Sequence, residues 1–365
     1  MRILHVTECV GGGVARAIDR IPGLAPSHEH FLLSVRPDIQ MPSGRGFTRS
    51  DILPHGHIKR ILAVRRTVSE LRPDIIHAHS SWAGFYVRAT HVPGRIVYQP
   101  HGYALEFGGR LRRLVFATAE WLLAQRESSV AVLSSHEFDV AGRLNPHARR
   151  VFVPNVPTVS PSLTHSRTRS RRVVMVGRLG HQKDPEYFAD LKHYVTSHDP
   201  TIEFRWIGDG DPTRRRNLED AGVTVTGWLD DTALAAELES AGIYAHTGRY
   251  EGFPLSILDA AACGLPVVAR AIPAFNGLPM TQFASLAEHA RRIIAFFSLS
   301  GHESDLLARN AELLRIMSPA EQEEALLRLY DPLAPADESF LRLRTPVKVE
   351  GSDTPTPVTS RREAS

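Results

Sequence analysis

Short runs of apolar and β-branched residues alternate with amphipathic stretches along most of the chain. Ile3 to Val6 is the first such run, and Gly11 to Gly13 separate it from a stretch with helical periodicity. Runs of this kind predict buried strands, and the stretches between them predict helices that cover a parallel sheet. In the first half, the pattern predicts strands at 3–6, 31–35, 74–78, 95–99, 130–133 and 151–153, with helices at 14–21, 58–71, 81–90, 111–126 and from 135.

The alternation pauses and then begins again in the second half. Residues 160–172 are rich in Ser, Thr and Arg, which is typical of a linker. After this linker, the pattern predicts strands at 173–176, 203–207, 223–226, 242–246 and 266–269, with helices at 185–195, 214–220, 232–240, 256–262 and 284–297.

The whole pattern predicts an α/β protein made of two doubly wound domains that face a central cleft, where the carboxyl ends of the strands would bind ligands. Past residue 331 the chain turns to Pro, Ser, Thr and charge, which favours disorder. We expect a first domain over 1–157, a linker over 158–172, a second domain over 173–300, terminal helices over 301–330 that pack back toward the first domain, and a disordered tail over 331–365.

Composition narrows the function classes. The 365 residues suit two domains, and a formal net charge of +3 is too small to favour nucleic acid as the main partner. Two cysteines, Cys9 and Cys263, do not form a disulfide framework, which fits a reducing compartment. The start of the chain lacks a signal-peptide pattern, and no apolar run is long enough to span a bilayer. We therefore expect a cytoplasmic protein. The helix from Arg110, with Arg112, Arg113 and Trp121, leaves peripheral membrane contact open, although the pattern favours a core helix with a basic outer edge.

The segment Thr247 to Leu255 carries the strongest chemical signal. Its glycines lie between a predicted strand and a predicted helix, where free N–H groups and the helix dipole suit a diphosphate. Glu251 would repel phosphates but can accept hydrogen bonds from sugar hydroxyls. Asp259 lies about two helical turns further along the chain, on the same face of the predicted helix as Glu251. The alternative is that Glu251 is a surface acid in a loop and that Asp259 is a solvated helix residue.

Residues 251–268, EGFPLSILDAAACGLPVV, resemble the signature of the family 4 retaining glycosyltransferases, which have the GT-B fold of two Rossmann-like domains. The resemblance covers roughly residues 1–330 and is most specific over 173–270. It implies that Glu251 contacts the donor sugar and that Asp259 contacts the nucleotide ribose. The family has Glu at the second position, and Asp259 is one methylene shorter. The turn residues implied to bind the donor are Gly252, Phe253, Pro254 and Leu255.

Two basic residues follow the first strand of the second domain, in the segment VGRLGHQK. Arg178 can clamp phosphate oxygens, and Lys183 can supply a point charge to a departing diphosphate. The alternative is that both side chains are simply solvated, as is usual for an Arg and a Lys on a loop. The resemblance implies that this pair binds the diphosphate.

His101 follows a first-domain strand in the segment QPHGY. With 18 histidines in the chain, a loop histidine without a role is a real alternative. The resemblance to the family's His-Gly motif implies that His101 contacts and orients the transferred sugar. It does not need to act as a nucleophile.

Other glycine loops also follow strands. Gly12 and Gly13 lack the spacing of a nicotinamide-binding loop, and the resemblance implies donor contacts there. It also implies that Gly208 and Trp228 border the nucleotide base. His77 and His79 lie on one side of a strand, but further ligands for zinc are not evident, so we expect no metal site.

The combined prediction is a glycosyltransferase of class EC 2.4 that acts without cofactor or metal on a UDP-sugar or GDP-sugar. The acceptor would be a glycan or lipid-linked sugar in polysaccharide or glycoconjugate biosynthesis. One alternative is a sugar-nucleotide epimerase, which would consume donor without an acceptor. Another is a non-catalytic nucleotide-sugar-binding partner of a polysaccharide assembly complex.

Overall fold

The computed structural model describes residues 1–9, 12–35, 46–90, 92–103, 110–161, 169–299 and 301–334. Within the described residues, a seven-stranded and then a six-stranded parallel sheet follow one another along the chain, with helices between most of their strands. This confirms the predicted α/β architecture of two doubly wound domains. Residues 162–168 of the predicted linker and 335–365 of the predicted tail lie outside the described residues.

The N-terminal domain alternates strands and helices. Its elements are β1 (Arg2–Thr7), α1 (Gly12–Leu24), β2 (Glu29–Ser34), β3 (Phe47–Ile52), α2 (His57–Leu71), β4 (Ile75–His79), α3 (Ser81–Arg88), β5 (Arg95–Gln99), α4 (Arg110–Ala124), β6 (Ser129–Val132), α5 (Ser135–Leu144) and β7 (Arg149–Phe152). Across the described part, the strand order is β3-β2-β1-β4-β5-β6-β7. The order reverses beside β1 and β4, so the loops after these two strands open onto a crevice.

The C-terminal domain repeats this plan. Its elements are β8 (Arg172–Val176), α6 (Pro185–His198), β9 (Glu203–Ile207), α7 (Pro212–Asp220), β10 (Thr224–Val225), α8 (Asp231–Ser240), β11 (Ile243–His246), α9 (Leu255–Ala262), β12 (Val267–Arg270), β13 (Thr281–Phe283), α10 (Leu286–Ser298), α11 (His302–Ile316) and α12 (Pro319–Tyr330). The sheet order among described residues is β10-β9-β8-β11-β12-β13. The reversal beside β8 and β11 lies where the strongest sequence signals occur.

Two edge strands, β3 and β13, were not predicted by the hydrophobic pattern. The β3 sequence, FTRSDI, is mostly exposed, and the β13 sequence, TQF, is half-buried and only three residues long. An edge strand contacts the sheet along one side, so it carries little of the apolar run that marks a central strand.

The last helix packs on the N-terminal sheet, whereas α11 packs on the C-terminal domain. Buried Tyr330 of α12 places its hydroxyl 3.0 Å from Nδ1 of His77, and Gln322 donates to the carbonyl of Pro154 at 2.7 Å. The chain thus crosses between the domains twice, at the linker and at α12. Over the described residues, no helix combines the length and apolar character that crossing a bilayer requires.

Candidate functional site

The loops after β8 and β11 bring Lys183 and Glu251 together. The ammonium Nζ of Lys183 donates to Oε1 of Glu251 at 2.5 Å, and Glu251 is only 6% exposed. Gln182 donates its amide to the other carboxylate oxygen, Oε2, at 3.0 Å. The carboxylate is therefore held in place through both of its oxygens.

Charge and burial act in opposite directions on Glu251. Burial raises the pKa of the carboxyl, but the charge of Lys183 and the nearby imidazole of His246 outweigh it, so the pKa lies below its ordinary value. His246 Nε2 lies 3.4 Å from Oε1, and burial lowers the pKa of that imidazole. Glu251 is ionised at neutral pH and can accept hydroxyl hydrogen bonds.

The turn from β11 into α9 is built by packing. Phe253 is buried against Phe275 with ring centroids 5.8 Å apart, and its carbonyl accepts from the side chain of Asn155 at 2.7 Å. Pro254 precedes the helix and provides no side-chain cap. The N–H of Ile257 donates to the carbonyl of Pro254, while those of Leu255 and Ser256 make no hydrogen bond among the described contacts and remain available for an anion.

The two domains touch at the glycines that follow His101 and Glu251. A Cβ atom on Gly252 would lie 2.9 Å from the backbone N of Gly102 and 2.9 Å from the carbonyl carbon of His101. The N–H of Gly102 is already bound to Glu137 at 2.6 Å. The backbone cannot move aside easily, so the close approach of the two loops requires glycine at position 252.

His101 lies on the N-terminal side of this contact. Its φ of 52° is in the left-handed region, an uncommon conformation for a residue with a side chain. Burial lowers its pKa to about 4, and its Nε2 lies 3.3 Å from Nδ1 of His79. The ring is neutral at physiological pH.

Arg178 differs from Lys183 in its surroundings. It is exposed on the loop after β8, and it makes no hydrogen bond or ion pair within the described ranges. Its charge still lowers the pKa of the Cys9 thiol across the cleft, although burial has the larger effect and raises that pKa to about 12. A free guanidinium therefore lies beside the mouth of the crevice.

Gly208 and Trp228 lie together at the edge of the C-terminal sheet. Gly208 has φ 136°, and a Cβ there would lie 2.2 Å from the carbonyl oxygen of Gly177. Gly208 also forms a bridge with Gly227, the residue before Trp228. The indole of Trp228 is 49% exposed, which leaves its face available for stacking.

Asp259 is engaged by the linker. It is 2% exposed, and Oδ1 accepts from the backbone N–H groups of Thr158 at 2.5 Å and Val159 at 3.2 Å. Arg16 lies 3.7 Å from Oδ2. Burial raises the pKa of this carboxyl against these favourable contacts. A ribose contact would require exchange of a linker hydrogen bond, and the implied ribose role stays a prediction.

The glycine loop of the first domain faces α9. Gly12 has φ 69° and starts α1, while a Cβ on Gly13 would lie 3.5 Å from Cδ1 of Leu255. Gly11 lies outside the described residues. The structure thus brings Gly13 and Leu255 together, and His101 near Gly252.

Sequence reasoning missed several residues near the site. Gln182 and His246 contact Glu251, and the signal for His246 was only its place at the end of a strand. The pair His77 and His79 gains a third imidazole, His5, whose ring nitrogen lies within 4.8 Å of theirs. Parallel pairing of β1 with β4 in the register His5↔His77 produces this cluster.

Comparison with known proteins adds independent information. A family model for glycosyl transferases group 1 matches residues 170–293, and one for the glycosyl transferase 4-like domain matches residues 23–156. Together the two matches span more than half of the chain.

Two curated relatives are similar at the sequence level. An Escherichia coli UDP-Gal:alpha-D-GlcNAc-diphosphoundecaprenol alpha-1,3-galactosyltransferase is 25% identical over 62% of this chain and 65% of its own. A GDP-mannose-dependent alpha-mannosyltransferase of Mycolicibacterium smegmatis is 28% identical over 63% of this chain and 64% of its own. Both matches span slightly less than two thirds of the relative.

A solved structure shares the fold. The HepE protein of Anabaena, crystallised with UDP and glucose, aligns with a TM-score of 0.74 at 15% identity. The alignment covers 90% of this chain and 98% of that one. A likeness at this low identity shows that the two proteins share a fold.

Proposed function

Because this chain belongs to the group 1 glycosyltransferases of family 4, with the GT-B fold, we propose that it transfers a hexosyl unit from a nucleoside-diphosphate sugar to a hydroxyl acceptor with retention of configuration. The observation that carries the assignment of reacting groups is the Lys183–Glu251 pair. It lies on the C-terminal side of the Gly102–Gly252 contact, with His101 on the other side.

Each residue has a role that follows from its chemistry. Glu251 accepts hydrogen bonds from hydroxyls of the donor sugar, and His101 contacts the same sugar from the N-terminal domain. Lys183, Arg178 and the free N–H groups at the start of α9 neutralise the diphosphate as it leaves. These groups supply the charge that a divalent cation provides in other transferases, so we propose transfer without metal or cofactor.

Retention follows from the order of events. The diphosphate departs early, the sugar gains oxocarbenium character, and the acceptor hydroxyl attacks from the face that the diphosphate leaves. A phosphate oxygen takes the acceptor's proton, so no protein base is needed. The protein contributes orientation and electrostatic stabilisation.

The donor is a UDP-sugar or a GDP-sugar. The named relatives use UDP-galactose and GDP-mannose, which supports the donor class but not one base. A screen of nucleotide sugars for binding and hydrolysis, with and without candidate acceptors, tests the proposal. Transfer that depends on an acceptor supports it. Donor epimerisation without an acceptor, or binding without turnover, would contradict it.

The acceptor is a glycan or a lipid-linked sugar, and helix α4 offers a surface for the membrane that would carry the latter. Its sequence places Arg113 among apolar residues, and Trp121 is 53% exposed. Other exposed apolar side chains on this helix are Leu114, Val115 and Leu122. A basic, apolar helix face suits anionic lipid headgroups.

Sedimentation with vesicles tests the membrane contact. Anionic vesicles are expected to carry down the wild type, and the Trp121→Ser/Leu122→Ser variant is expected to remain in the supernatant. Equal partition of both proteins, or equal binding to neutral vesicles, would contradict the assignment of α4.

A further inference from the structure

Three histidines on neighbouring strands and a fourth just after the next strand form a continuous hydrogen-bonded row that ends at His101. The row runs from His30 on β2 through His5 on β1 and His79 on β4 to His101 after β5. The three successive nitrogen–nitrogen distances are 3.0, 3.0 and 3.3 Å. We call these four residues the histidine row. It uses both ring nitrogens of each of its first three members.

The far end of the row sets the direction of every hydrogen bond. Nε2 of His30 lies 2.9 Å from the carbonyl oxygen of Ala25, which can only accept. His30 must therefore carry its proton on Nε2, and its Nδ1 must accept from Nε2 of His5. The same reasoning passes along the row. Nδ1 of His5 accepts from Nε2 of His79, and Nδ1 of His79 accepts from Nε2 of His101.

This reasoning requires each ring to carry a single proton, and burial provides that condition. Burial lowers the pKa values of His5 and His79 well below their ordinary value and also lowers that of His30. His101, at the end of the row, has a pKa of about 4. At neutral pH all four rings are uncharged, so each has one donor and one acceptor.

We propose that His30, His5 and His79 are positioning residues that fix His101 in the Nε2–H tautomer, which leaves Nδ1 of His101 to accept a hydrogen bond from a hydroxyl of the transferred sugar. The second half of this inference rests on the proposed function. A neutral acceptor suits the site because a protonated ring would oppose the positive charge that develops on the sugar. The row thus explains how a buried histidine presents a lone pair instead of a proton.

A metal ion held by His5, His77 and His79 would require the opposite tautomer of His79. The ion would occupy Nδ1 of His5 and Nε2 of His79, so the proton of His79 would move to Nδ1 and point toward His101. In the structure, Nδ1 of His5 and Nε2 of His79 instead lie 3.0 Å apart, the distance of a direct hydrogen bond, and Nδ1 of His77 lies 3.0 Å from the hydroxyl of Tyr330. The geometry favours the hydrogen-bonded row.

The test is a direct measurement of the tautomers. The full chain is labelled with ¹⁵N-histidine, and long-range ¹H–¹⁵N correlation at pH 7.5 reports which nitrogen of each ring carries the proton. We expect Nε2–H for His101 and His79. Nδ1–H on either ring, or one equivalent of bound metal in the purified protein, would overturn the proposal.

Two substitutions of His79 by residues of similar size distinguish the roles of its two ring nitrogens. In His79→Asn, the amide oxygen replaces Nδ1 and still accepts from His101. In His79→Gln, the amide replaces Nε2, so His101 loses its acceptor. We expect His101 to stay Nε2–H in the Asn variant and to become a tautomer mixture in the Gln variant, with kcat about tenfold lower in the latter, which is the scale of one hydrogen bond. Equal behaviour of the two variants would contradict the positioning role.

His28→Gln is the matched control. His28 contacts the ring of His30, with centroids 6.3 Å apart, but makes no hydrogen bond to the row among the described contacts. We expect the tautomers of the histidine row and the turnover of the His28→Gln variant to match those of the wild type. The tautomer measurement needs no sugar donor, so a wrong donor assignment leaves it unaffected. Nδ1–H on His101 would overturn the proposal even in a protein that transfers sugar.

Discussion

Lys183 and Glu251 come from separate loops of the C-terminal domain, yet Nζ and Oε1 lie 2.5 Å apart with both side chains largely buried. The ammonium neutralises the buried carboxylate. When a donor binds, the ammonium can turn to the diphosphate and the carboxylate to the sugar hydroxyls. The site is therefore electrically balanced in both states.

Removal of Lys183 is expected to affect both stability and activity. Lys183→Ala leaves the carboxylate of Glu251 buried without its cation, so the unfolding free energy should fall by about 3 kcal/mol. Transfer should fall strongly because the diphosphate also loses a counter-charge. Thermal or chemical unfolding together with kcat/KM measures both effects.

Arg178→Ala is the matched comparison. The side chain is exposed and unpaired within the described ranges, so its loss should change the unfolding free energy by less than about 0.5 kcal/mol. Transfer should still fall. An Arg178→Ala protein as unstable as Lys183→Ala, or one with normal turnover, would contradict the roles assigned to the pair.

Gly252→Ala tests the contact between the domains. The added Cβ would meet the backbone of His101 and Gly102 at 2.9 Å, so the loops must separate and the sugar site must widen. We expect kcat/KM to fall about a hundredfold, the scale of an ångström displacement in an active site. Gly23→Ala is the control because the added methyl group would have no atom within 4 Å, and the residue lies in α1, away from the cleft. Similar activity of the two variants would contradict the contact.

Acid should weaken the contribution of Glu251 to stability. Its folded pKa lies below the ordinary value of 4.5, so the stabilisation is present above pH 4.5 and is lost as the pH falls through the folded pKa. The wild type should therefore be more stable than Glu251→Gln at pH 7, and the difference should shrink as the pH falls below 4.5. Urea unfolding across this range measures it. A difference that grows in acid would reverse the assigned sign.

Chelation should leave transfer unchanged. Lys183, Arg178 and the start of α9 are proposed to stabilise the leaving diphosphate without a cation, so turnover in EDTA should equal turnover in magnesium. The assay compares both conditions on the same preparation. Activity that disappears in EDTA and returns with magnesium would contradict the metal-free mechanism.

The sequence predicted the parts of this site that are local in the chain. The turn before α9 and the loop after β8 each follow a strongly apolar strand, and their residues meet because adjacent parallel strands end at the same edge. The contacts of Asp259 with Thr158 and Val159 span about a hundred residues and depend on how the domains close. No local pattern carries that information.

The sequence did not predict the histidine row, for a related reason. His5 and His30 lie inside apolar strands, where a single histidine has no distinctive spacing. Their meaning arises from the strand order β2-β1-β4-β5, which brings His30, His5 and His79 on three adjacent strands next to His101, just after the fourth. Strand pairing therefore had to be known before the row could be recognised.

The most direct measurement is release of nucleoside diphosphate from the identified donor by the wild type and by Glu251→Gln, with and without acceptor. Donor binding should be retained in the variant, while acceptor-dependent release should fall at least about a hundredfold, the scale of a lost transition-state contact. Product analysis should show the same anomeric configuration as the donor. Normal turnover by Glu251→Gln, or an inverted product, would contradict the account.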